Sequence, residues 1–432
     1  MDIKIGTLMN DSYAKNTFSE QPKLDNPAPK NKKQSRTKNT SHSLAALTAA
    51  ALALPGMDNC LAIEPTEGTT VAFQQSRYVE GDQKNYVNSV GENISEGGRM
   101  SIDISQLDMT TRINDNLDLS IKTSHEVLSG ASPWFIAPGA DGEAIQVMSG
   151  ASIEEQRTDI SSTVGIYNGR TKTAIGVAYS QEDDYTSRTL SSSFDIESKN
   201  KMRTFSIGVG YSDDTVEPVD TDQFSYRIES DDRSSIKSHI GWTEILSKNT
   251  VIQANLGYTH NAGFLSDPYK LVWVGNAPVA DSRPEKRDQF TQSLRLRHHL
   301  ANTNSTLHAD YRYFSDDWGI DAHTFNLGLY QNLPNEWQVS GNVRLYSQSR
   351  ADFYSIYFTD DSTEHHSSDY RLSAFGSIST TLSVQKTWQN WLLNISAEHY
   401  ESDRNWSHKR TRSENPGLVN FQVISAGLNY QW

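Results

Sequence analysis

The feature that most constrains this chain is the alternation of apolar and polar residues from about residue 63 to the carboxyl end. In the stretches IQANLGYT (252–259) and WQVSGNVRL (337–345), nearly every second residue is apolar or aromatic. A period of two is the signature of a β-strand with two different faces. No stretch of comparable length follows the period of a helix, so the sequence predicts an all-β fold.

About sixteen such segments follow one another, and many are longer than the five or six residues usual for strands. Their length is close to the roughly 9–11 residues that a strand needs to cross a bilayer at a tilt. The predicted segments are 68–78, 98–112, 115–129, 154–168, 170–182, 186–198, 201–213, 233–247, 248–262, 286–300, 304–316, 320–334, 335–350, 370–389, 390–403 and 418–432.

Short and long connections alternate between these segments. Each short connection carries asparagine, which tolerates the positive φ of tight hairpin turns; the residues are Asn114, Asn116, Asn168, Asn200, Asn249, Asn302, Asn335 and Asn390. The other connections are mostly long and acidic, except those near 183–186 and 317–320. This arrangement predicts a transmembrane antiparallel β-barrel of about 16 strands with short periplasmic turns and long extracellular loops.

Aromatic residues collect at the ends of the segments, where barrels place their interfacial girdles. They are Tyr179, Tyr211, Tyr258, Tyr313, Trp337, Trp388, Trp391 and Trp432. A soluble β-sandwich with these aromatics in its core is the alternative. The strand lengths favour the barrel.

The amino end predicts export. A basic stretch, KNKKQSRTK (30–38), precedes the apolar stretch SLAALTAAALALPG (43–56), and this order is typical of a secretory signal peptide. With cleavage after Ala62, residues 1–62 form a polar extension plus a cleavable signal peptide, and residues 63–432 form the barrel. The predicted location is the outer membrane of a Gram-negative cell.

Charge limits the choice of partners. The predicted leader holds 8 Lys and Arg and 5 Asp and Glu, which leaves a net charge of −17 on residues 63–432. Phosphate binding depends on Lys and Arg, so nucleic acid is not expected as a partner. The expected partners are outer-membrane lipid, lipopolysaccharide and the barrel-assembly machinery.

Several charged residues fall on the predicted inner face of the barrel. Those proposed to line the lumen wall are Arg295, Arg297, His308, Asp310, Arg312 and Arg344. A basic strip made from them would bias a pore toward anions. The alternative is a mutually neutralised network without a role in selectivity, and we favour that alternative.

No catalytic, cofactor-binding or metal site is predicted. One acidic and histidine-rich stretch, residues 360–369, contains potential metal ligands, but their spacing matches no defined site. The serine, histidine and aspartate residues form no recognisable nucleophile–base arrangement. We therefore expect that the protein is not an enzyme and holds no cofactor.

The carboxyl end resembles the signal read by the outer-membrane assembly machinery. Apolar or aromatic side chains occupy alternate positions up to the last residue, namely Ile424, Ala426, Leu428, Tyr430 and Trp432. We expect this strand to close the barrel against the first strand, near Val71 and Phe73. Upstream, the apolar residues Val419, Phe421 and Val423 fall on the other face, which predicts a β-bulge or the outer rim.

Three stretches, SLAALTAAALALPG, the repeated SGAS (129–132 and 149–152) and YRYFSDDWGIDAHT (311–324), resemble a family of Gram-negative secreted proteins known as a domain of unknown function. The resemblance implies an outer-membrane barrel without an established activity. It also implies genetic neighbours that include small lipoproteins, thioredoxin-like proteins and a flavin transferase. The polar extension 1–29 departs from the family pattern.

Two functions follow as expectations. The first is a porin-like channel for small polar solutes, since barrels of 16–18 strands can enclose an aqueous lumen. The second is a non-conducting scaffold that docks a periplasmic or lipoprotein partner, with a role in extracytoplasmic redox or electron transfer.

Overall fold

The segments in which apolar and polar residues alternate fold into strands, and these strands close into one barrel. The computed structural model describes residues 63–87, 93–97, 99–131, 133–139, 143–148, 153–360, 363–409, 411 and 415–432. The predicted leader, residues 1–62, lies outside the described residues. Within them, no helix is long and apolar enough to cross a membrane.

The strands are numbered in chain order. They are β1 Thr69–Glu80, β2 Gln83–Val87, β3 Asn93–Gly97, β4 Met100–Asn114, β5 Leu117–Gly130, β6 Pro133–Pro138, β7 Ala144–Met148, β8 Ile153–Asn168, β9 Thr171–Gln181, β10 Tyr185–Glu197, β11 Arg203–Val216, β12 Asp231–Ser247, β13 Thr250–Gly263, β14 Leu271–Val274, β15 Ala277–Ala280, β16 Lys286–Leu300, β17 Ser305–Asp316, β18 Asp321–Leu333, β19 Trp337–Gln348, β20 Phe375–Trp388, β21 Trp391–Asp403 and β22 Phe421–Gln431. Two single-turn 3₁₀ helices cover Tyr370–Leu372 and Arg404–Trp406.

Sixteen of these strands form a closed antiparallel barrel in the order β1-β22-β21-β20-β19-β18-β17-β16-β13-β12-β11-β10-β9-β8-β5-β4. The predicted fold class is thereby confirmed. The predicted segments match the barrel strands to within a few residues, and segment 286–300 matches β16 at both ends. The six remaining strands lie in the loops and were not predicted.

Long and short connections lie at opposite ends of the barrel, here called the loop end and the turn end. The loop-end connections are L1 (81–99), L2 (131–152), L3 (182–184), L4 (217–230), L5 (264–285), L6 (317–320), L7 (349–374) and L8 (404–420). L1 and L2 contribute β2, β3, β6 and β7 to a four-stranded sheet, and L5 folds into the β14–β15 hairpin. L3 and L6 are short, as the sequence predicts.

The outer surface carries the apolar half of the alternation. Side chains exposed there include Phe73, Leu107, Ile175, Val177, Ile207, Val209, Leu256, Leu294, Leu327, Leu382, Ile395 and Ile424. These exposed apolar residues form the belt that a bilayer would cover. The fold is therefore inverted relative to a soluble β-protein, with polar residues inside.

The asparagines in the turns act differently from the prediction. Of the eight named above, only Asn335 has a positive φ, at 58°. Others use their side chains: Asn114 Oδ1 accepts from the Asn116 amide at 2.8 Å, and Asn200 Oδ1 accepts from the Met202 amide at 3.2 Å. Such Asx hydrogen bonds imitate a backbone turn, so asparagine is useful there without adopting a left-handed conformation.

Candidate functional site: the lumen and the loop cap

All six predicted lumen residues face inward. Arg295 and Arg297 lie on β16, His308, Asp310 and Arg312 on β17, and Arg344 on β19. Their sequence neighbours Leu294, Tyr311, Val343 and Leu345 are exposed on the outer surface. Because successive side chains point to opposite faces of a strand, the charged residues point into the lumen. This side of the lumen is here called the basic wall.

The basic wall is only partly neutralised. Arg297 forms a forked ion pair with Asp310, with Nη2 donating to Oδ2 at 3.1 Å and Nη1 bonded to Oδ1. Among the described residues, no carboxylate lies within ion-pair distance of Arg312 or Arg344. The basic wall therefore has features of both predictions. The charge of Arg297 is neutralised by Asp310, as in a neutralised network, whereas Arg312 and Arg344 present positive charge to the lumen, as in a basic strip.

Acidic residues lie on the opposite side of the lumen. Asp118 and Glu126 on β5 and Glu155 and Asp159 on β8 face inward, and β17 lies eight strands from β5 in the sixteen-stranded ring. Asp118 accepts a hydrogen bond from Tyr167 at 2.5 Å. Charges of opposite sign therefore face each other across the lumen, although Asp159 is paired with Arg157 at 2.9 Å. This acidic wall could not be recognised from the sequence, since it depends on which strands stand opposite one another.

The loop end of the acidic wall contains buried carboxylates. Glu155, Glu182 and Asp184 each place an oxygen within 4.8 Å of the other two. Arg157 lies beside them, with its Nε 3.5 Å from Glu182 Oε1, and Tyr269 from L5 donates to Asp184. Oxygen ligands of this kind suit hard cations such as Ca²⁺, but here they also hold an arginine and a tyrosine.

A second group of metal-type ligands lies outside the barrel. Asp321 and His323 at the start of β18 and His408 in L8 place ligand atoms within 4.8 Å of one another. By contrast, Asp369 of the stretch 360–369 is used in ion pairs with Arg283 and Arg371. No sequence pattern predicted the outer group, because His408 is 85 residues from His323 in the chain.

Loops from distant strands meet above the lumen and form a cap, defined here as the packed parts of L1, L2, L4, L5, L7 and L8. Lys270 of L5 is buried and donates to the carbonyl of Pro133 in L2 at 3.1 Å. L2 joins β5 to β8 and L5 joins β13 to β16, nearly opposite sides of the ring. A contact between these loops must cross the mouth of the barrel.

Buried charges stabilise the cap. Arg371 of L7 bonds Asp267 of L5 at 3.0 Å and also Asp369, and Arg283 of L5 bonds Asp369 at 3.0 Å and Asp281 at 2.7 Å. Burial opposes ionisation of Asp369, but Arg371, Lys270 and Arg283 hold its pKa well below the usual range. Burial raises the pKa of Asp281 and lowers that of Lys270. Removing one member would leave an uncompensated buried charge.

Below the cap, the lumen contains an apolar cluster. Tyr78, Met100, Ile102, Ile104 and Leu128 are buried, and Phe421 and Val423 pack against them. β22 pairs in unbroken register with both β1 and β21, so the predicted bulge is absent from this strand. Apolar residues therefore occupy the inner face of β22 at Phe421 and Val423 and its outer face from Ile424 onward. The reason is that the upper lumen beneath the cap is filled with apolar side chains, as in a protein core.

The turn end is more open. A cavity of about 330 Å³ lies there, lined by the neutral or polar side chains of Tyr330, Gln338, Ser340, Ser383, Gln385, Leu392 and Asn394. Residues 63–68 extend from the end of β22 toward β10 and β11, where Glu64 pairs with Lys201 at 2.9 Å. This pairing lowers the pKa of Glu64. The first described segment therefore lies over part of the opening.

The five predicted carboxyl-terminal residues share the outer face of β22, with Ile424 and Trp432 exposed. The strand closes the barrel as predicted, pairing Val71 with Tyr430 and Phe73 with Leu428. Tyr430 lies 4.4 Å from Trp391 and 5.4 Å from Trp432 between ring centroids. These three rings and Trp388, which stacks on Trp391, form an aromatic ribbon at the turn end.

The model of the family described as "Protein of unknown function (DUF3570)" matches residues 44–428. The chain belongs to this family. The match covers nearly all of the barrel, and it confirms the resemblance seen in the sequence. No curated protein matches the chain.

Solved outer-membrane proteins resemble the chain at low identity. CdiB from Acinetobacter baumannii has 9% identity and a TM-score of 0.47, covering 83% of this chain and 60% of CdiB. A bacterial polysaccharide outer membrane secretin has 7% identity and a TM-score of 0.45, covering 84% and 98%. The siderophore receptor PirA from Pseudomonas aeruginosa has 9% identity and a TM-score of 0.40, covering 78% and 56%. The chain thus spans little more than half the length of PirA and CdiB.

Proposed function

We propose that the protein is a porin-like channel of the Gram-negative outer membrane that passes small polar solutes, with the loop cap restricting its outer mouth. The proposal assigns it no catalytic activity and no resident cofactor. The observation that carries it is the lumen, in which a basic wall and an acidic wall face each other above a polar cavity. Polar interiors of this kind are typical of barrels that conduct water-soluble molecules.

The outer surface supports the membrane location. An apolar belt surrounds the barrel, and the aromatic ribbon lies at one of its edges. With short turns toward the periplasm, the cap faces the cell exterior. Export through the signal peptide in residues 1–62 belongs to the same proposal.

Planar-bilayer conductance tests the channel. We expect small or infrequent openings from the wild-type protein and larger ones when the L2 hairpin, residues 133–148, is replaced by a short Gly-Ser link. In that opened background, Arg312→Glu with Arg344→Glu should shift the reversal potential toward cation selectivity. Arg188→Glu, on the outer face of β10, is the matched control and should leave selectivity unchanged. Silence of the opened variant across salts and voltages would contradict the proposal.

The second candidate, a non-conducting scaffold for a periplasmic or lipoprotein partner, is favoured by one observation. Both ends of the lumen are crossed, by the cap at one end and by residues 63–68 at the other. A scaffold would remain silent after the cap is opened, and a partner should co-purify with it. Loss of that partner in a variant lacking the Glu64–Lys201 pair, Lys201→Met, would support docking at the turn end.

A further inference from the structure

The outer surface at the loop end carries two imidazoles and a carboxylate that approach one another from different segments. Asp321 and His323 alternate on the outer face at the start of β18, and His408 reaches them from L8. His408 Nε2 lies 2.7 Å from Asp321 Oδ1. The rings of His323 and His408 are 5.1 Å apart and nearly perpendicular. Three ligands therefore face a shared space between β18 and L8.

Each imidazole is also fixed from behind. His323 Nδ1 contacts the Tyr311 hydroxyl at 2.8 Å, and His408 Nδ1 contacts Ser347 Oγ at 3.0 Å. A histidine that binds a metal usually donates its other ring N–H to such a partner, which fixes its tautomer and orientation. With both Nδ1 atoms occupied, the Nε2 atoms are the candidate ligand atoms, and a metal would replace the direct contact between His408 Nε2 and Asp321 Oδ1.

We propose that Asp321, His323 and His408 form a site for a divalent transition-metal ion of the Zn²⁺ class. Imidazole with carboxylate suits Zn²⁺, Cu²⁺ or Ni²⁺, whereas Mg²⁺ and Ca²⁺ prefer oxygen ligands alone. Zinc with three protein ligands keeps a fourth position for water or another ligand. The ligand atoms lie within 4.8 Å of one another, and a small further approach would let them share one ion.

The site would fasten L8 to the wall of the barrel. L8 already contacts this wall, since Ser407 Oγ donates to the Gln348 carbonyl at 2.7 Å and the His408 amide donates to Ser347 Oγ at 2.7 Å. Farther along, L8 enters the cap, where Arg99 bonds the carbonyls of Gly417 and Leu418. A bound metal would therefore link the outer wall to the cap.

Lys409 provides a distinguishing feature. Its ammonium group pairs with Asp321 Oδ2, the oxygen that His408 does not contact. A cation beside a metal ligand opposes metal binding by repulsion. Removal of this charge should therefore strengthen metal binding at Asp321, His323 and His408. If these residues served only to form the ion pair with Lys409, the same change would weaken the contact between L8 and β18.

Isothermal titration of the detergent-solubilised full-length protein with ZnCl₂ tests the site. We expect His408→Gln and Asp321→Asn each to weaken Zn²⁺ binding at least tenfold, and Lys409→Met to strengthen it. The matched control is His260→Gln, because His260 also pairs with a carboxylate on the outer rim, Asp288 at 2.7 Å, but without a second histidine. Zinc should also slow tryptic cleavage after Arg404 and Lys409 in the wild type.

Three outcomes would overturn the proposal. These are wild-type protein that binds no Zn²⁺ at 100 µM, His408→Gln and Asp321→Asn variants with unchanged affinity, and equal loss of affinity in His260→Gln. Because the three ligands lie at the surface, folding of each variant can be verified by heat-modifiable migration on gels. A cobalt absorption spectrum of the wild type typical of nitrogen and oxygen ligands provides a readout independent of the variants.

Discussion

Gly68 lies where the first and last barrel strands, β1 and β22, meet. Its φ of 70° lies in the left-handed region, and a Cβ placed there would overlap the carbonyl oxygen of Trp432. That carbonyl accepts from the Thr69 amide at 2.9 Å in the ladder that closes the barrel. Glycine is therefore required both for backbone conformation and for the close approach of β22.

We expect Gly68→Ala to lower the yield of folded barrel severalfold, because strain and overlap act at the closing ladder. The measurement is the heat-modifiable fraction after refolding into detergent. Gly169→Ala is the control, since Gly169 has a similar φ of 59° but no atom within 4 Å of the added Cβ. It should cost only about 1–2 kcal/mol of backbone strain. Equal yields for the two variants would contradict this explanation.

At the scale of elements, the cap is the part of the molecule that the sequence predicted least. The barrel strands repeat one pattern over many residues, whereas the loop strands are 4–6 residues long and too short for periodicity to identify. The cap also depends on contacts between segments far apart, such as Lys270 with Pro133. Likewise, the inward direction of Arg312 could be predicted from local alternation, but the acidic wall opposite it could not.

Replacing Arg371 with methionine should open the cap. The change leaves Asp369 and Asp267 buried beside fewer cations, and breaking a buried ion pair costs about 3–5 kcal/mol. Faster amide hydrogen exchange in residues 264–285 and 363–374 would report the opening. Arg203→Met is the control, because its pair with Glu244 at the turn end is exposed and contributes at most about 1 kcal/mol. Unchanged exchange in the Arg371 variant would exclude this role.

The ion pair between Arg371 and Asp369 also determines the response of the cap to acid. The pKa of Asp369 is lowered in the folded protein, so its ionisation stabilises the cap above the unfolded pKa of about 3.9 and is lost only as the pH falls through the lower folded value. In the Arg371→Met variant the loss should begin at a higher pH, because the largest attractive charge on Asp369 is gone. Exchange measured from pH 7 to pH 3 in both proteins would reveal this shift, and coincident curves would contradict it.

At the scale of the whole molecule, the barrel is closed by the strand that ends in Trp432. We expect deletion of Trp432 to lower the amount of folded protein in the outer membrane, because the deletion removes its pair with Thr69 in the closing ladder and one ring of the aromatic ribbon. Trp391→Ala is the matched comparison. It removes the ring nearest Tyr430 within the aromatic ribbon but leaves the closing ladder between β1 and β22 intact, so it should lower stability in detergent more than assembly in cells. Unchanged membrane yield after the deletion would contradict this prediction.

Strand number, strand bounds and closure could be predicted from the sequence because each depends on local alternation or on the two chain ends. The turns were predicted in position but not in mechanism, since asparagine acts there mainly through side-chain hydrogen bonds. The alternation predicts a bulge or the outer rim at Phe421 and Val423, whereas both pack against the apolar cluster in the lumen. Periodicity identifies a face but not whether a filled core or a lumen lies behind it.

The order of the strands also determines how far apart in the chain their partners lie. All barrel ladders except one join barrel strands that are consecutive along the chain. The exception is the ladder between β1 and β22, which pairs Val71 with Tyr430 across almost the whole described chain. Chain entropy makes such a closure costlier than a hairpin of about 15 residues by about 3 kcal/mol. We therefore expect the hairpins to form in succession as local units and the two edge strands to pair last.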